Sequence, residues 1–462
     1  MTTPEFLLSG ALPVGDTPRG DHAGGGSPGQ VTTPLVARPV DSGAAVGVAA
    51  AAPVQRAERI DVIDVIRGFA LFGILLVNMG AFADPIYQVM IDAERWTSPV
   101  DQAVEWLIRF LAEGKFYSLF SFLFGLGLTL QMSRAEARGV HFVPLYTRRL
   151  LVLLAFGLIH AYLIWVGDIL TWYAIFGFVL LLFRKCSPRT LLTWAAIFLL
   201  IPVLLQALAV GALALGRATP EGAAEIERSM AETERTYRQL MEQALTVYRE
   251  GSFAEITAQR VRDLRVLYGT FIFVIPNVLA MFLCGLYAGH RGIFRDIPGH
   301  LPFIRRVLVW GLIIGLTGNF VFAMSMEAAD RAIPTVLGLL GWIGQSIGAP
   351  ALCFFYAAAL TLLFQQERWR RRLTPLASVG RMALSNYLLQ SLVCTTIFYG
   401  YGLGLFGQVS PAWGLVLTVV IYVVQIPLSV WWLRHFQFGP AEWLWRSLTY
   451  LRWQPMRVAG RA

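Results

Sequence analysis

The chain has 462 residues, of which 56% are hydrophobic and only 15% charged, and its mean hydropathy is +0.58. Soluble domains carry about 25% charged residues, so this composition excludes an ordinary soluble protein and marks an integral membrane protein. The net charge of +9 fits loops that collect Arg and Lys on one membrane face, and no basic region separable from the apolar segments suggests a nucleic-acid partner.

In chain order, residues 1–55 are rich in Gly, Pro, Thr, Ala and Val and read as a disordered cytoplasmic tail. They lack the basic start and continuous apolar core of a secretory signal. Ten apolar stretches follow, at about 60–82, 116–133, 148–166, 168–184, 190–215, 268–290, 303–325, 334–364, 376–400 and 412–435. They predict an all-α, polytopic membrane bundle with an N-terminal half (56–215), an outer helical loop (216–266) and a C-terminal half (267–462). If the spans alternate, the basic residues Arg56, Arg59, Arg134, Arg148, Arg149, Arg184, Arg291, Arg368 and Arg446 share one side. The positive-inside rule then puts both termini in the cytoplasm.

The first span carries Asp61, Asp64, Gly68, Leu71, Leu75 and Asn78 on one stripe, with Arg67 beside it. Ionisable groups are costly in hydrocarbon, so this stripe should face protein or water. Asp64 and Arg67 are three residues apart and can pair, either as a packing device or as a guanidinium site for an anion. Asn78 is a candidate donor to an acyl carbonyl, or a helix cross-link. Between the first two spans, Val104, Leu107, Ile108 and Leu111 read as an interfacial amphipathic helix.

Next comes Gly114-Lys115-Phe116-Tyr117-Ser118, whose aromatic run, continuing to Gly127, suits packing. The sharpest candidate is the hairpin from Arg148 and Arg149 through His160 and Asp168 to Tyr173. His is the side chain suited to moving a proton near neutral pH, and a nearby carboxylate can orient it. Eight residues span about 12 Å on one helix, so direct contact requires the chain to fold back at Gly167. The bland alternative is a buried neutral His bonded to a carbonyl or Tyr.

Residues 217–265 mix Glu and Arg at helical spacing and predict one or two exposed helices. Gly311 and Gly315, then Gly344 and Gly348, have the spacing that lets membrane helices approach closely. The segment Gly380-Arg381 to Ser391 places Asn386 and Gln390 on one face, with Arg381 at the cytoplasmic entrance. Gly439-Pro440-Ala441-Glu442-Trp443 starts a short helix suited to docking. Four scattered cysteines and six histidines without paired spacing predict neither a metal site nor a disulfide framework. Hydrolase-elbow, P-loop and dinucleotide motifs are absent.

Taken together, Arg59-x-Asp61-x-x-Asp64-x-x-Arg67-Gly68-Phe69 with the later Asn78, Phe116-Tyr117-Ser118-Leu119-Phe120, the His160–Tyr173 hairpin, Gly380 to Gln390 and Gly439 to Arg446 resemble the YeiB family of bacterial inner-membrane proteins. The likeness runs from about Arg59 to Tyr450. That family is similar in fold to the transmembrane acyltransferases, which pass an acyl group from a cytoplasmic CoA thioester to a glycan or other acceptor on the far side.

The resemblance implies acetyl-CoA or another acyl-CoA as donor substrate, no tightly bound cofactor, and a glycan or lipid-linked acceptor. Those enzymes place a catalytic His in or just after the first span, and residues 79–115 here contain none. The expected roles are therefore His160 as base and Asp168 as its orienting partner, with Asp64, Arg67, Asn78, Arg149, Tyr173, Arg381 and Asn386 as substrate-binding residues. The lipid bilayer is the expected partner, and a homo-oligomer is compatible with the pattern. The alternative is a transporter or flippase for an anionic metabolite or a lipid-linked sugar.

Overall fold

The structure, a computed structural model, describes residues 60–91, 95–329 and 333–458. The tail expected over 1–55, with Arg56 and Arg59, lies outside the described residues. Those described are almost entirely helical: α1 Asp61–Ala83, α2 Pro99–Leu111, α3 Lys115–Ala137, α4 Phe142–Ile159, α5 Leu170–Phe183, α6 Pro188–Gly216, α7 Pro220–Glu250, α8 Phe253–His290, α9 Ile297–Ala328, α10 Val336–Phe364, α11 Glu367–Arg381, α12 Ala383–Phe398, α13 Pro411–His435 and α14 Pro440–Tyr450.

Among the described residues, eight helical stretches are long and apolar enough to cross a membrane, and α5 and α12 are shorter apolar helices. Together they correspond to the ten expected segments, so the chain is a polytopic membrane helix bundle. Three boundaries differ from the sequence expectation. The expected ninth span, 376–400, is broken at Met382 into α11 and α12. The sixth starts at Phe253 rather than 268, so α8 has 38 residues. At 1.5 Å per residue it is about 57 Å long, well beyond the ~30 Å hydrocarbon thickness. The third and fourth spans are separated by an irregular turn set deep in the bundle.

The short helices are the informative ones. With 14 and 16 residues, α5 and α12 reach only about 21 and 24 Å. Each therefore begins inside the bundle, beside irregular backbone. At membrane depth such backbone is tolerated where protein surrounds it or it lines a cavity.

Glycines set the close helix crossings. A methyl group on Gly68 would collide with the Leu376 carbonyl, and one on Gly380 with the Asp64 carbonyl. This mutual fit brings α1 against α11 and sets Arg67 near Arg381. The expected small-residue seam joins α9 and α10, where Gly315 abuts Leu352 and Gly348 abuts Asn319.

Two apolar clusters fill the interior. One includes Leu71, Leu119, Phe122, Leu153, Tyr173 and Tyr387. The other includes Leu75, Phe82, Ala161, Trp165, Cys394, Phe398 and Phe406. His160 and Ser391 lie where the two meet, each flanked along its own segment by members of both.

Candidate active site

The turn after α4 is built by backbone constraint. Residues His160–Ile164 form a single π-helical turn closed by Trp165 N–H donating to the His160 carbonyl at 2.8 Å. Trp165 then becomes extended, with φ −152° and ψ 136°, and its indole stacks on Phe82 at 3.9 Å between centroids. The same indole packs against Gly167, where any Cβ would collide with it. The wide turn, the extended residue and the glycine fold the chain back on itself. Asp168 thereby meets His160 directly.

Asp168 also starts α5. Its carboxylate accepts from Leu170 N at 3.1 Å and Thr171 N at 2.8 Å, capping two of the helix's unpaired donors. Those bonds leave Asp168 Oδ1 2.9 Å from His160 Nδ1. The other ring nitrogen, Nε2, lies 2.9 Å from Ser391 Oγ. Ser391 has one proton and two acceptors in reach, His160 Nε2 and the Tyr387 carbonyl at 3.3 Å, and the nearer is the imidazole. The tautomer consistent with both contacts has Nδ1–H donating to Asp168 and Nε2 accepting from Ser391. All three side chains are buried: His160 and Ser391 are 0% exposed and Asp168 is 3% exposed. Serine, histidine and aspartate in this order, at these distances, form the constellation that activates a nucleophilic hydroxyl in acyl transfer.

Below this chain lies a cavity of about 280 Å³. Its lining runs from Arg67, Arg134, Arg149, Arg381 and Arg446 at one end to Ile169, Leu170 and Tyr387 beneath the triad. Tyr387 divides the two: its ring is 5.1 Å from that of His160, and Ser391 is one helical turn beyond it. Along α4, Arg149 and His160 are separated by about 16 Å of helix.

The arginines are held by the helices that start there. Arg67 pairs with Asp64 at 2.7 Å. Arg149 stacks on Trp445 at 3.6 Å and Arg446 faces Phe438 at 4.7 Å. Glu442 of α14 accepts from Leu384 N at 2.6 Å and Ser385 N at 3.1 Å, which caps α12 from a separate helix. Burial pushes the Glu442 carboxyl above its ordinary range, partly offset by the hydrogen bonds from Ser385 and Leu384.

The expected site residues thus divide in three. His160 and Asp168 are in direct contact. Asp64, Arg67, Arg149, Tyr173 and Arg381 line the cavity, Tyr173 being tied to Ser121 Oγ at 2.8 Å and the Tyr117 carbonyl at 3.0 Å. Asn78 and Asn386 do not reach it. Asn386 donates to the Val379 carbonyl at 3.1 Å and Ser429 Oγ at 3.0 Å, bracing the α11–α12 break against α13. Ser391 and Tyr387 carry no signal of their own in the sequence, since neither is costly in a membrane helix. Among the described residues, no group of three or more His, Cys, Asp or Glu is placed to hold a metal ion.

The chain is 41% identical over 424 residues to the uncharacterized protein YxaH of Bacillus subtilis, covering 87% of this chain and 97% of that one. It is 31% identical to an uncharacterized 39.9 kDa protein encoded in the amylase 3′ region of Bacillus acidopullulyticus, covering 89% and 99%. It is 30% identical to the uncharacterized protein YeiB of Escherichia coli, covering 88% of this chain and 98% of YeiB. The chain belongs to the YeiB family. A protein family of unknown function, DUF418, matches residues 288–452. The matched region contains Arg381, Ser391 and Glu442, whereas His160 and Asp168 lie N-terminal to it. No solved structure is significantly similar to the chain.

Proposed function

We propose that this protein is an inner-membrane acyltransferase that works through an acyl-serine at Ser391. One observation carries the reading: a buried Ser391–His160–Asp168 chain lies behind Tyr387, which lines a cavity whose other lining includes Arg67, Arg149 and Arg381. The cavity suits a donor with a polyanionic head and a reactive group at the end of a flexible arm, as in an acyl-CoA. Arg67, Arg149 and Arg381 hold the phosphates, Asp64 orients Arg67, and Tyr173 forms part of the wall along the arm.

His160 Nε2 takes the Ser391 proton as Oγ attacks the thioester carbonyl. The C–S bond breaks and the thiolate leaves with that proton. An acceptor hydroxyl or amine then attacks the acyl-serine, its proton passes to His160, and His160 returns a proton to Ser391 Oγ. Asp168 keeps the ring in the tautomer this requires and stabilises the imidazolium. Tyr387 must turn aside for the donor to reach Ser391. In this reading Asn386 holds α12 rather than substrate, and Asn78 has no assigned part. The reading groups the chain with the transmembrane acyltransferases, with the arginines on the cytoplasmic side and the acceptor approaching from the other.

The test is CoA release from acetyl-CoA by the purified protein in lipid nanodiscs, with mass analysis of the Ser391 peptide. Wild type should release CoA and carry an acetyl group on Ser391; Ser391→Ala and His160→Ala should do neither. Thioester turnover that survives in Ser391→Ala would overturn the covalent mechanism. A second reading, a transporter, draws on the two broken helices that meet at the polar site. Gradient-driven uptake of an anion with no thioester turnover would favour it.

A further inference from the structure

At the end of the bundle away from the arginine-lined mouth, the first turns of α8 carry three buried polar residues: Gln259 and Arg260, each 0% exposed, and Asp263, 1% exposed. Asp263 is the natural partner for Arg260, three residues away on the same helix, yet it is engaged elsewhere. It accepts from Tyr87 Oη at 2.6 Å, Tyr248 Oη at 2.7 Å and Gln259 Nε2 at 2.8 Å. Among the described residues these three neutral donors leave the guanidinium with no carboxylate in hydrogen-bond contact, Asp263 acting on it only through space.

Arg260 makes one hydrogen bond, from Nη1 to the Tyr162 carbonyl at 2.9 Å, and its Cζ lies 6.0 Å from the Tyr399 ring centre. Nε and Nη2 are buried with no hydrogen-bond partner among the described residues. Arginine stays charged in proteins, and an unpaired buried cation is costly. The Nε–Nη2 edge is the fork that receives two oxygens of a carboxylate or phosphate.

The position of this fork gives it a use. Tyr162 belongs to the π turn that begins at His160, so Arg260 is anchored to the element that presents the catalytic imidazole, on the side opposite the donor cavity. We infer that Arg260 is the anion-binding residue of the acceptor site, and that the acceptor carries a phosphate beside the hydroxyl or amine that is acylated. This rests on the acyltransferase reading for the word acceptor, but not for the anion site itself. The site is closed in this form by α7, which buries only Ala244 and Tyr248. Entry requires that end of α7 to move away from Tyr399 and Phe406, which pack on Tyr248 at 4.8 and 4.9 Å.

Two phosphate sources are separable. Protein in phosphatidylcholine nanodiscs is compared with protein in phosphatidylglycerol nanodiscs, and the former is titrated with glycerol 3-phosphate. Thermal stability is the readout that needs no turnover. Wild type should be stabilised by one of the two phosphates and Arg260→Gln by neither. Stabilisation by phosphatidylglycerol alone assigns a lipid headgroup, and stabilisation by glycerol 3-phosphate assigns a soluble ester.

In the transfer assay with glycerol 3-phosphate as acceptor, Arg260→Gln should raise the acceptor KM by about 10-fold or more, well beyond any change in its acetyl-CoA KM, with Arg260→Lys intermediate. If Arg260→Gln does not fold, Arg260→Lys, which keeps the charge and loses the fork, should show weakened phosphate stabilisation. Equal responses of wild type and variants to both phosphates would overturn the proposal and leave Arg260 a structural residue. Absence of CoA release in wild type, with phosphate stabilisation intact, would sink the acyltransferase reading while leaving the anion site standing.

Discussion

Ser391 Oγ lies 2.9 Å from His160 Nε2, although 231 residues separate the two in sequence. Both sit beside interrupted helices, where α4 gives way to a π turn and where α12 starts after the break at Met382. A continuous α4–α5 hairpin would carry Asp168 away from the imidazole. The interruption is what lets one carboxylate cap α5 and orient His160 at once.

Asp168 should therefore separate geometry from folding. Asp168→Asn keeps an oxygen to cap α5 but disturbs the donor–acceptor order with Nδ1. The expected result is a loss of thioester turnover of about 10²–10⁴-fold with little change in thermal stability. Asp168→Ala removes the cap as well and should cost about 1 kcal/mol of stability in addition. Turnover within a few-fold of wild type in both variants would remove Asp168 from the mechanism.

The arginine mouth predicts a distinct kinetic signature. Arg67→Gln, Arg149→Gln and Arg381→Gln should each raise the acetyl-CoA KM, by about 10-fold, and lower its salt dependence. They should leave turnover of a thioester lacking the phosphates nearly unchanged. Arg149→Lys should resemble Arg149→Gln more than wild type, because lysine cannot reproduce the stacking on Trp445 seen at 3.6 Å. Equal losses on both donors would mean that these residues support folding rather than phosphate binding.

Three glycines should resist even alanine. At Gly68 and Gly380 an added methyl meets backbone of the facing helix, and at Gly167 it meets the Trp165 indole. Overpacking of this kind costs about 1–3 kcal/mol, so each variant should melt earlier in nanodiscs. Gly80→Ala, where no atom outside its own helix backbone and chain neighbours lies within 4 Å of the added carbon, is the matched control and should melt no earlier than wild type.

Glu442 predicts a pH effect with a defined sign. Burial raises its carboxyl above the ordinary value of 4.5, so the folded protein binds a proton there more readily than the unfolded chain. Its contribution to stability is full below about 4.5 and falls as pH rises through the folded value. Melting of Glu442→Gln should be less pH-dependent than wild type across that window. Glu442→Ala should lose about 1–3 kcal/mol at any pH, since the Leu384 and Ser385 N–H groups are left without their acceptor. Parallel pH profiles for wild type and Glu442→Gln would show that the carboxyl does not titrate there.

The sequence by itself determined the class of the molecule and its most suspicious residues. Long apolar stretches can be satisfied only as membrane helices, so ten segments were legible from length and hydropathy. His160, Asp168, Asp64 and Arg67 stood out because ionisable groups are costly in hydrocarbon. Ser391, Tyr387 and Arg260 did not stand out. A serine or tyrosine in a membrane helix costs little, and Arg260 sits in a stretch whose Glu and Arg spacing looks like a solvated helix.

Only the tertiary structure decided which polar groups meet. Helical periodicity carries information over a few turns, whereas the contacts of His160 with Ser391, of Glu442 with Leu384, and of Asp263 with Tyr87 join segments far apart in sequence. Where a helix stops inside the bundle is decided by what surrounds the freed backbone. At 165–169 and at Met382 that is a matter of packing between distant segments, which no local run of residues specifies.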